Sequence, residues 1–257
     1  MAEDIILTNL KDGVLTVTLN RPKANAFTTE MSQALTKVFR DAGRNDAVRV
    51  VLLAGAGKLF SAGQDVSEFG EGEHVSFRKH LLKTYNPLIV EMRRLEKPVI
   101  GAIHGAVAGA ALGIALACDL RIAADNARFV VGFSGIGLAP DSAVSLMLPL
   151  LIGLGRAAEA AFMNQPISAE QALAWGLVNR VVSVEELPTA SVVWASELAK
   201  GPVHAMGYTK RGFNKAVLAN LEEVLDYEAH VQEIAGNGGD HREGLGAFRE
   251  KREAKYV

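Results

Sequence analysis

Two apolar runs rich in β-branched residues, Val48 to Ala54 and Pro98 to His104, each break into a segment of glycine and alanine that leads into helical sequence. The first run is apolar at nearly every position rather than at alternate ones, which suits a strand covered on both faces. Around these runs the pattern alternates. Ile5 to Leu10 and Val14 to Leu19 flank Lys11-Asp12-Gly13 as a hairpin, with the second run alternating apolar residues and threonine. Helical spacing follows through Met31, Leu35, Val38 and Phe39, and again from His80 to Leu95. Strands recur at Leu120 to Ala124 and Ala127 to Val131. Beyond Asp141 the pattern is mostly helical, over Ser145 to Leu154, Arg156 to Met163, Ala169 to Trp175 and Leu187 to Lys200. Strands alternating with helices, then helices alone, predict an α/β core, residues 1–195, with a helical C-terminal extension, residues 196–257.

A chain of 257 residues that is 49% hydrophobic and 22% charged has enough apolar side chain for one large core. Its formal net charge of −2 supplies no pull toward nucleic acid or an anionic membrane. The longest weakly charged run, Val99 to Ala117, is rich in glycine and alanine and contains His104, so it reads as buried core rather than a membrane span. The single cysteine, Cys118, excludes a disulfide framework and a cysteine metal cluster, and fits a reducing compartment. The N-terminus carries early acids and lacks the features of a signal peptide, so the expected location is cytoplasmic.

The two small-residue segments are Phe60-Ser-Ala-Gly-Gln-Asp65 and His104-Gly-Ala-Val-Ala-Gly-Ala-Ala-Leu-Gly113. One such segment alone reads best as close backbone packing. Two, each between a strand and a helix, point to free amides presented at helix N-termini, where an anionic oxygen binds. Neither has the Gly-x-Gly-x-x-Gly spacing of a dinucleotide site.

With these segments go Asn20-Arg-Pro-Lys-Ala-Asn-Ala26, Lys97 to Gly105, Ala117-Cys-Asp-Leu-Arg-Ile-Ala123, Gly135-Ile-Gly-Leu-Ala-Pro-Asp141, Ala172 to Val178 and Glu243 to Arg252. In this order they resemble the enoyl-CoA hydratase/isomerase (crotonase) family over essentially the whole chain. The resemblance implies a crotonase-like spiral of ββα units, with the C-terminal helical region joining copies into a homotrimer or a hexamer, and an acyl-CoA thioester as substrate. It places the oxyanion hole at the amides of Ala62 and Ala110. Backbone around Lys23 and Ala24, and from Ala62 through Gly63, Gln64, Asp65 and Val66, would grip the bent CoA. Phe248 and Lys251 would reach the nucleotide end of a CoA held mainly by a neighbouring subunit. Amide donors preset around a thioester oxygen stabilise the enolate that forms when charge moves onto it.

Hydratases of this family use two glutamates, and the matching positions here are Gly113 and Phe133, neither of which transfers protons. Asp141 instead stands where the family's enoyl-CoA and ring-epoxide isomerases carry their acid/base. By residue type alone Asp141 could equally be a helix N-cap; the family position favours catalysis. One carboxylate suffices for a 1,3-proton shift, and a pocket lined by Phe133, Val131 and Leu138 would raise its proton affinity. The expected activity is therefore acyl-CoA isomerisation through an enolate, without metal or other cofactor. The alternatives are a hydratase in which Asp141 or Glu68 positions water, and a non-catalytic acyl-CoA-binding homologue. The run from Phe129 to Asp141 looks closest to the phenylacetate-pathway branch, although Ala143-Val144 stand where that branch commonly has glycines. His74, His80 and His104 read as structural or solvated, Asp119 as a core cap or ion pair, Glu68 as an edge of the acyl pocket, and Lys251-Arg252 admits a second reading as a solvated charge cluster.

Overall fold

The structure, a computed structural model, describes residues 4–21, 23–68 and 76–256. Strands Ile6–Lys11 (β1) and Val14–Leu19 (β2) form the expected hairpin. Its turn, Asp12-Gly13, has positive φ at both residues, as the twist of a two-residue hairpin requires. Helix Thr29–Arg44 (α1) starts at Thr28, whose hydroxyl accepts the Met31 amide at 3.2 Å, and buries Met31, Leu35 and Phe39. Strand Val50–Gly55 (β3) then pairs in parallel with β2.

The chain continues through helices Phe77–Lys83 (α2) and Tyr85–Arg94 (α3), strands Val99–Ile103 (β4) and Ala106–Ala108 (β5), and helix Ala110–Ala117 (α4). Strands Leu120–Ala124 (β6) and Arg128–Val130 (β7) lead to helices Val144–Ile152 (α5) and Leu154–Met163 (α6). Strand Ile167–Ser168 (β8), helix Ala169–Ala174 (α7) and strand Arg180–Val182 (β9) follow. Helices Leu187–Lys200 (α8), Val203–Val217 (α9), Leu221–Gly236 (α10) and Gly239–Glu250 (α11) complete the described chain.

A six-stranded sheet, β1-β2-β3-β4-β6-β9, is parallel except for β1, and a three-stranded sheet runs β5-β7-β8. β4-β5-α4 and β6-β7-α5 are successive ββα turns, each giving one strand to each sheet, which is the expected spiral. The large sheet is covered on both faces. Val51, Leu53 and Val99 face the main core with α1, α3 and α4, while Val50, Leu52 and Ile100 pack against Leu187, Trp194 and Ala195 of α8.

Three expectations need correction. The helix expected from His80 to Leu95 is two helices broken at Thr84 (φ −118°, ψ −83°). Pro87 explains the break, because its ring would collide with the Lys83 carbonyl in a continuous helix, whereas in the first turn of α3 its missing N–H costs nothing. The stretch after Asp141 is not helical throughout, since β8 and β9 lie within it. The division at residue 195 falls inside α8. Val99 to Ala117 is β4, β5 and α4 of the core, and no helix among the described residues is long and apolar enough to cross a membrane.

Candidate active site

The two small-residue segments lie side by side. Ser61 donates to the Ala106 carbonyl and accepts from the Ala108 amide, both at 3.2 Å, forming a parallel bridge to Val107. Gly63 sits so close to the second segment that a Cβ there would come 2.6 Å from the Ala108 carbonyl oxygen, and its φ of +91° also favours glycine. Buried Asn25 anchors the first segment through hydrogen bonds from its side chain to the carbonyls of Ala56 and Leu59, at 2.8 and 2.9 Å.

This arrangement engages one of the two expected donors. The Ala62 amide donates to the Ala24 carbonyl at 2.9 Å, so it does not face an incoming oxygen. On either side of Gln64, the Gly63 carbonyl accepts from Phe27 and the Asp65 amide donates to Phe27, which turns the Gln64 amide to the opposite side. Among the described residues no acceptor takes the amides of Gln64 or Ala110. Ala110 opens α4, where first-turn amides lack helical partners. Both residues line a cavity of about 370 Å³.

Asp141 lines the same cavity and is 6% exposed. Its Oδ1 accepts the Ser142 hydroxyl at 2.7 Å and its Oδ2 the Gln232 side-chain amide at 2.9 Å. Burial raises its pKa to about 6, against the lowering effect of those two hydrogen bonds. The helix-cap reading of Asp141 fails, because the carboxylate that meets the start of α5 is Glu228 of α10. Glu228 accepts the amides of Ala143 at 2.7 Å and Ser145 at 3.0 Å, together with the Ser145 hydroxyl. Burial raises Glu228 to about 7 despite these bonds. Gly113 lies against the Asp141 turn, and a Cβ there would stand 2.3 Å from the Ser142 carbonyl oxygen. The fold therefore has no room at 113 for a second carboxylate. Ala143, in the turn that follows Asp141, takes φ 62°.

Opposite the glycine segment a polar wall forms. The Gln64 side-chain oxygen accepts the Tyr85 hydroxyl at 2.6 Å and meets His80 Nε2 at 3.0 Å, while its NH2 donates to Glu68 at 3.1 Å. His80 thus belongs to the cavity, contrary to its reading as structural or solvated. Burial lowers its pKa and so favours the neutral ring, and burial followed by the Asp141 charge pushes the Tyr85 phenol well above its usual range. His104 bonds the Gly57 carbonyl at 3.0 Å, away from the cavity, and His74 lies outside the described residues.

Of the other expected residues, Val66, Phe133, Leu138 and Phe248 line the cavity, and Phe248 does so from the same chain. Val131 is buried behind the wall, and its neighbour Val130 is the one that lines it. Lys23 is exposed, and Ala24 contributes the carbonyl that takes the Ala62 amide. Asp65 pairs with Arg21 at 3.0 Å and accepts the Ser67 hydroxyl at 2.6 Å, which shapes the loop. Lys251 is exposed at the end of α11, off the cavity. Glu68 is exposed and accepts the Thr29 amide at 2.9 Å, off the cavity as well. Asp119 pairs with Arg93 and Lys210, each at 2.8 Å, in its expected core role. Gln232, Tyr85 and His241 also line the cavity, and Glu228 meets the turn beside it, none of them marked by a motif. Gln232 and Glu228 meet the Asp141 turn from 91 and 85 residues away, so no local pattern marks them. No group of three potential metal-ligating side chains occurs among the described residues.

The profile of the family described as enoyl-CoA hydratase/isomerase matches residues 9–257. The chain is 38% identical to the 1,2-epoxyphenylacetyl-CoA isomerase of Escherichia coli (strain K12), covering 99% of this chain and 98% of that protein. It is 35% identical to a probable enoyl-CoA hydratase of Rhodobacter capsulatus, covering 100% of this chain and 99% of that protein. A crystal structure of an enoyl-CoA hydratase from Mycobacterium avium subsp. paratuberculosis K-10 superposes with a TM-score of 0.90 at 32% identity, covering 98% of each chain.

Proposed function

The chain belongs to the enoyl-CoA hydratase/isomerase family, and from that premise we propose that it is an acyl-CoA isomerase with Asp141 as its only acid/base. The thioester oxygen sits between the amides of Gln64 and Ala110, which stabilise the enolate as charge reaches that oxygen. Asp141 takes the proton at one end of the allylic unit and returns it at the other, so no water is added and no electron is exchanged.

The observation that carries this reading is the Asp141 carboxylate itself, buried on the cavity and raised to about 6, with Gly113 closed to any partner carboxylate. A base with that pKa is largely ionised near neutrality and still holds a proton well enough to return it. Hydration by a glutamate pair has no support at Gly113 and Phe133, and Glu68 is engaged at the start of α1.

The CoA grip fits the loop of Lys23 and Ala24, which the Ala62–Ala24 hydrogen bond ties to the segment from Gly63 through Asp65 to Val66. Phe248 at the cavity, and Lys251 one helical turn beyond it, suit the nucleotide side. The similarity to the Escherichia coli relative supports a ring epoxide beside a CoA thioester as a second substrate class. Exposed Leu154, Phe162 and Met163 on α6 support assembly into a trimer or a dimer of trimers.

The test is incubation with a 3-enoyl-CoA and, separately, a 2-enoyl-CoA, followed by mass spectrometry. Isomerisation turns the 3-enoyl ester into the 2-enoyl ester of equal mass, which chromatography resolves from it ahead of the spectrometer. A product heavier by one water would establish the hydratase instead, and binding of both esters without conversion would mark a non-catalytic homologue.

A further inference from the structure

One face of α10 runs along the back of the segment that carries Asp141. Gln232 and Glu228 are one helical turn apart on it, and both are nearly fully buried. Gln232 accepts the Ala139 amide at 3.1 Å through Oε1 and donates to Asp141 Oδ2 at 2.9 Å through Nε2. The orientation of this carboxamide is determined. An amide N–H at Ala139 can only donate, so the oxygen must face it and the NH2 must face Asp141. Gln232 is therefore a donor to the carboxylate and favours its charged form, while burial favours the neutral one.

Glu228 holds the far end of the same segment through the amides of Ala143 and Ser145. Between the two anchors, Ser142 and Ala143 take φ of 56° and 62°, two consecutive non-glycine residues in the left-handed region. Such a pair persists only where its surroundings over-determine it. α10 grips the turn on both sides, and Asp141 is the residue that the turn presents to the cavity.

We propose that Gln232 and Glu228 are positioning residues for Asp141, Gln232 orienting the carboxylate and favouring its ionised state, and Glu228 holding the left-handed turn that presents it. The proposal rests on Asp141 being the base of the reaction above. The titratable groups that face Asp141 are Tyr85 from α3 and Glu228 from α10, with His80 from α2 and His241 from α11 across the cavity. No lysine or arginine lines the cavity among the described residues. The donor to Oδ2 is thus not masked by a cation.

The test uses the full-length protein labelled with carbon-13 at aspartate carboxyls, with Asp141→Asn assigning the resonance. In Gln232→Met, nearly isosteric but without the donor, the Asp141 midpoint should rise by about one pH unit or more, as expected for loss of a hydrogen bond to a charged group. Exchange of the α-hydrogens of a 3-enoyl-CoA in heavy water should lose about 10- to 100-fold in kcat with KM little changed, and its acid limb should move with the midpoint. An unmoved midpoint with wild-type kcat would overturn the role of Gln232. If the methionine variant does not fold, Gln232→Glu keeps the acceptor for Ala139 and turns a carboxyl toward Asp141. The midpoint should then rise further, and an unmoved one would overturn the proposal equally. Glu228→Gln, able to accept only one of the two amides, should lower kcat about tenfold at similar KM; wild-type kcat would remove Glu228 from the assignment. A shifted midpoint in Gln232→Met with no exchange by any form, wild type included, would support the role of α10 and refute Asp141 as the base.

Discussion

At the scale of the residue, Asp141 and Glu228 are carboxyls whose burial overrides the hydrogen bonds they accept, raising them to about 6 and about 7. Each binds its proton more tightly in the folded chain than in the unfolded one. Their contribution to stability is therefore full below about pH 4 and is lost as the pH rises through 6 to 7. Thermal melts should show Tm falling between pH 5 and pH 8, and Glu228→Gln should flatten that fall; an equal slope in the variant would contradict the buried carboxyl. Gly113 makes the complementary prediction. Gly113→Glu places its Cβ against the Ser142 carbonyl, so it should lower Tm by about 5 °C or more and fail to create hydratase activity. Asp141, Gly113 and Phe133 were legible in the sequence because each is a residue type at a motif position. The proposed oxyanion donor was legible only to within its segment, since the direction of an amide depends on which neighbouring strand it pairs with. Ala62 pairs with Ala24, and the Gln64 amide has no acceptor among the described residues.

At the scale of the element, α4 matters for the amide it begins with. Proline is tolerated at the first helical position but has no N–H, so Ala110→Pro should remove the donor while keeping the helix. We expect kcat to fall about 10²- to 10³-fold, the range for loss of one oxyanion donor, with Tm nearly unchanged by calorimetry. Near-wild-type turnover would place the thioester oxygen elsewhere. The hairpin, α1, β6 and α8 were readable because periodicity and turn residues act locally. The break between α2 and α3 was missed although Pro87 announces it, because the apolar spacing continues across Thr84. That break brings Tyr85 and His80 together at Gln64. β8 and β9 were missed because two or three residues are too few to show a period, and pairing with β7 and β6 defines them.

At the scale of the molecule, the C-terminal helices complete the site rather than only extending the core. α10 supplies Gln232 and Glu228 to the Asp141 turn, and α11 supplies Leu245 and Phe248 to the cavity. The α/β core followed from the alternation of strands and helices and its spiral from the family resemblance, but the way its end folds back over its own cavity depends on contacts between distant parts of the chain. If α6 carries the subunit contact, Phe162→Asp with Met163→Asp should shift sedimentation toward the monomer; an unchanged coefficient would move the contact elsewhere. In the proposed reaction one carboxylate and two backbone amides perform the chemistry. The most direct measurement is hydrogen exchange of a 3-enoyl-CoA in heavy water, comparing the unmodified chain with Asp141→Asn. Exchange in the former and a loss of about 10³-fold or more in the latter, with CoA-ester binding within a few-fold, is the predicted result. Undiminished exchange in Asp141→Asn would contradict it.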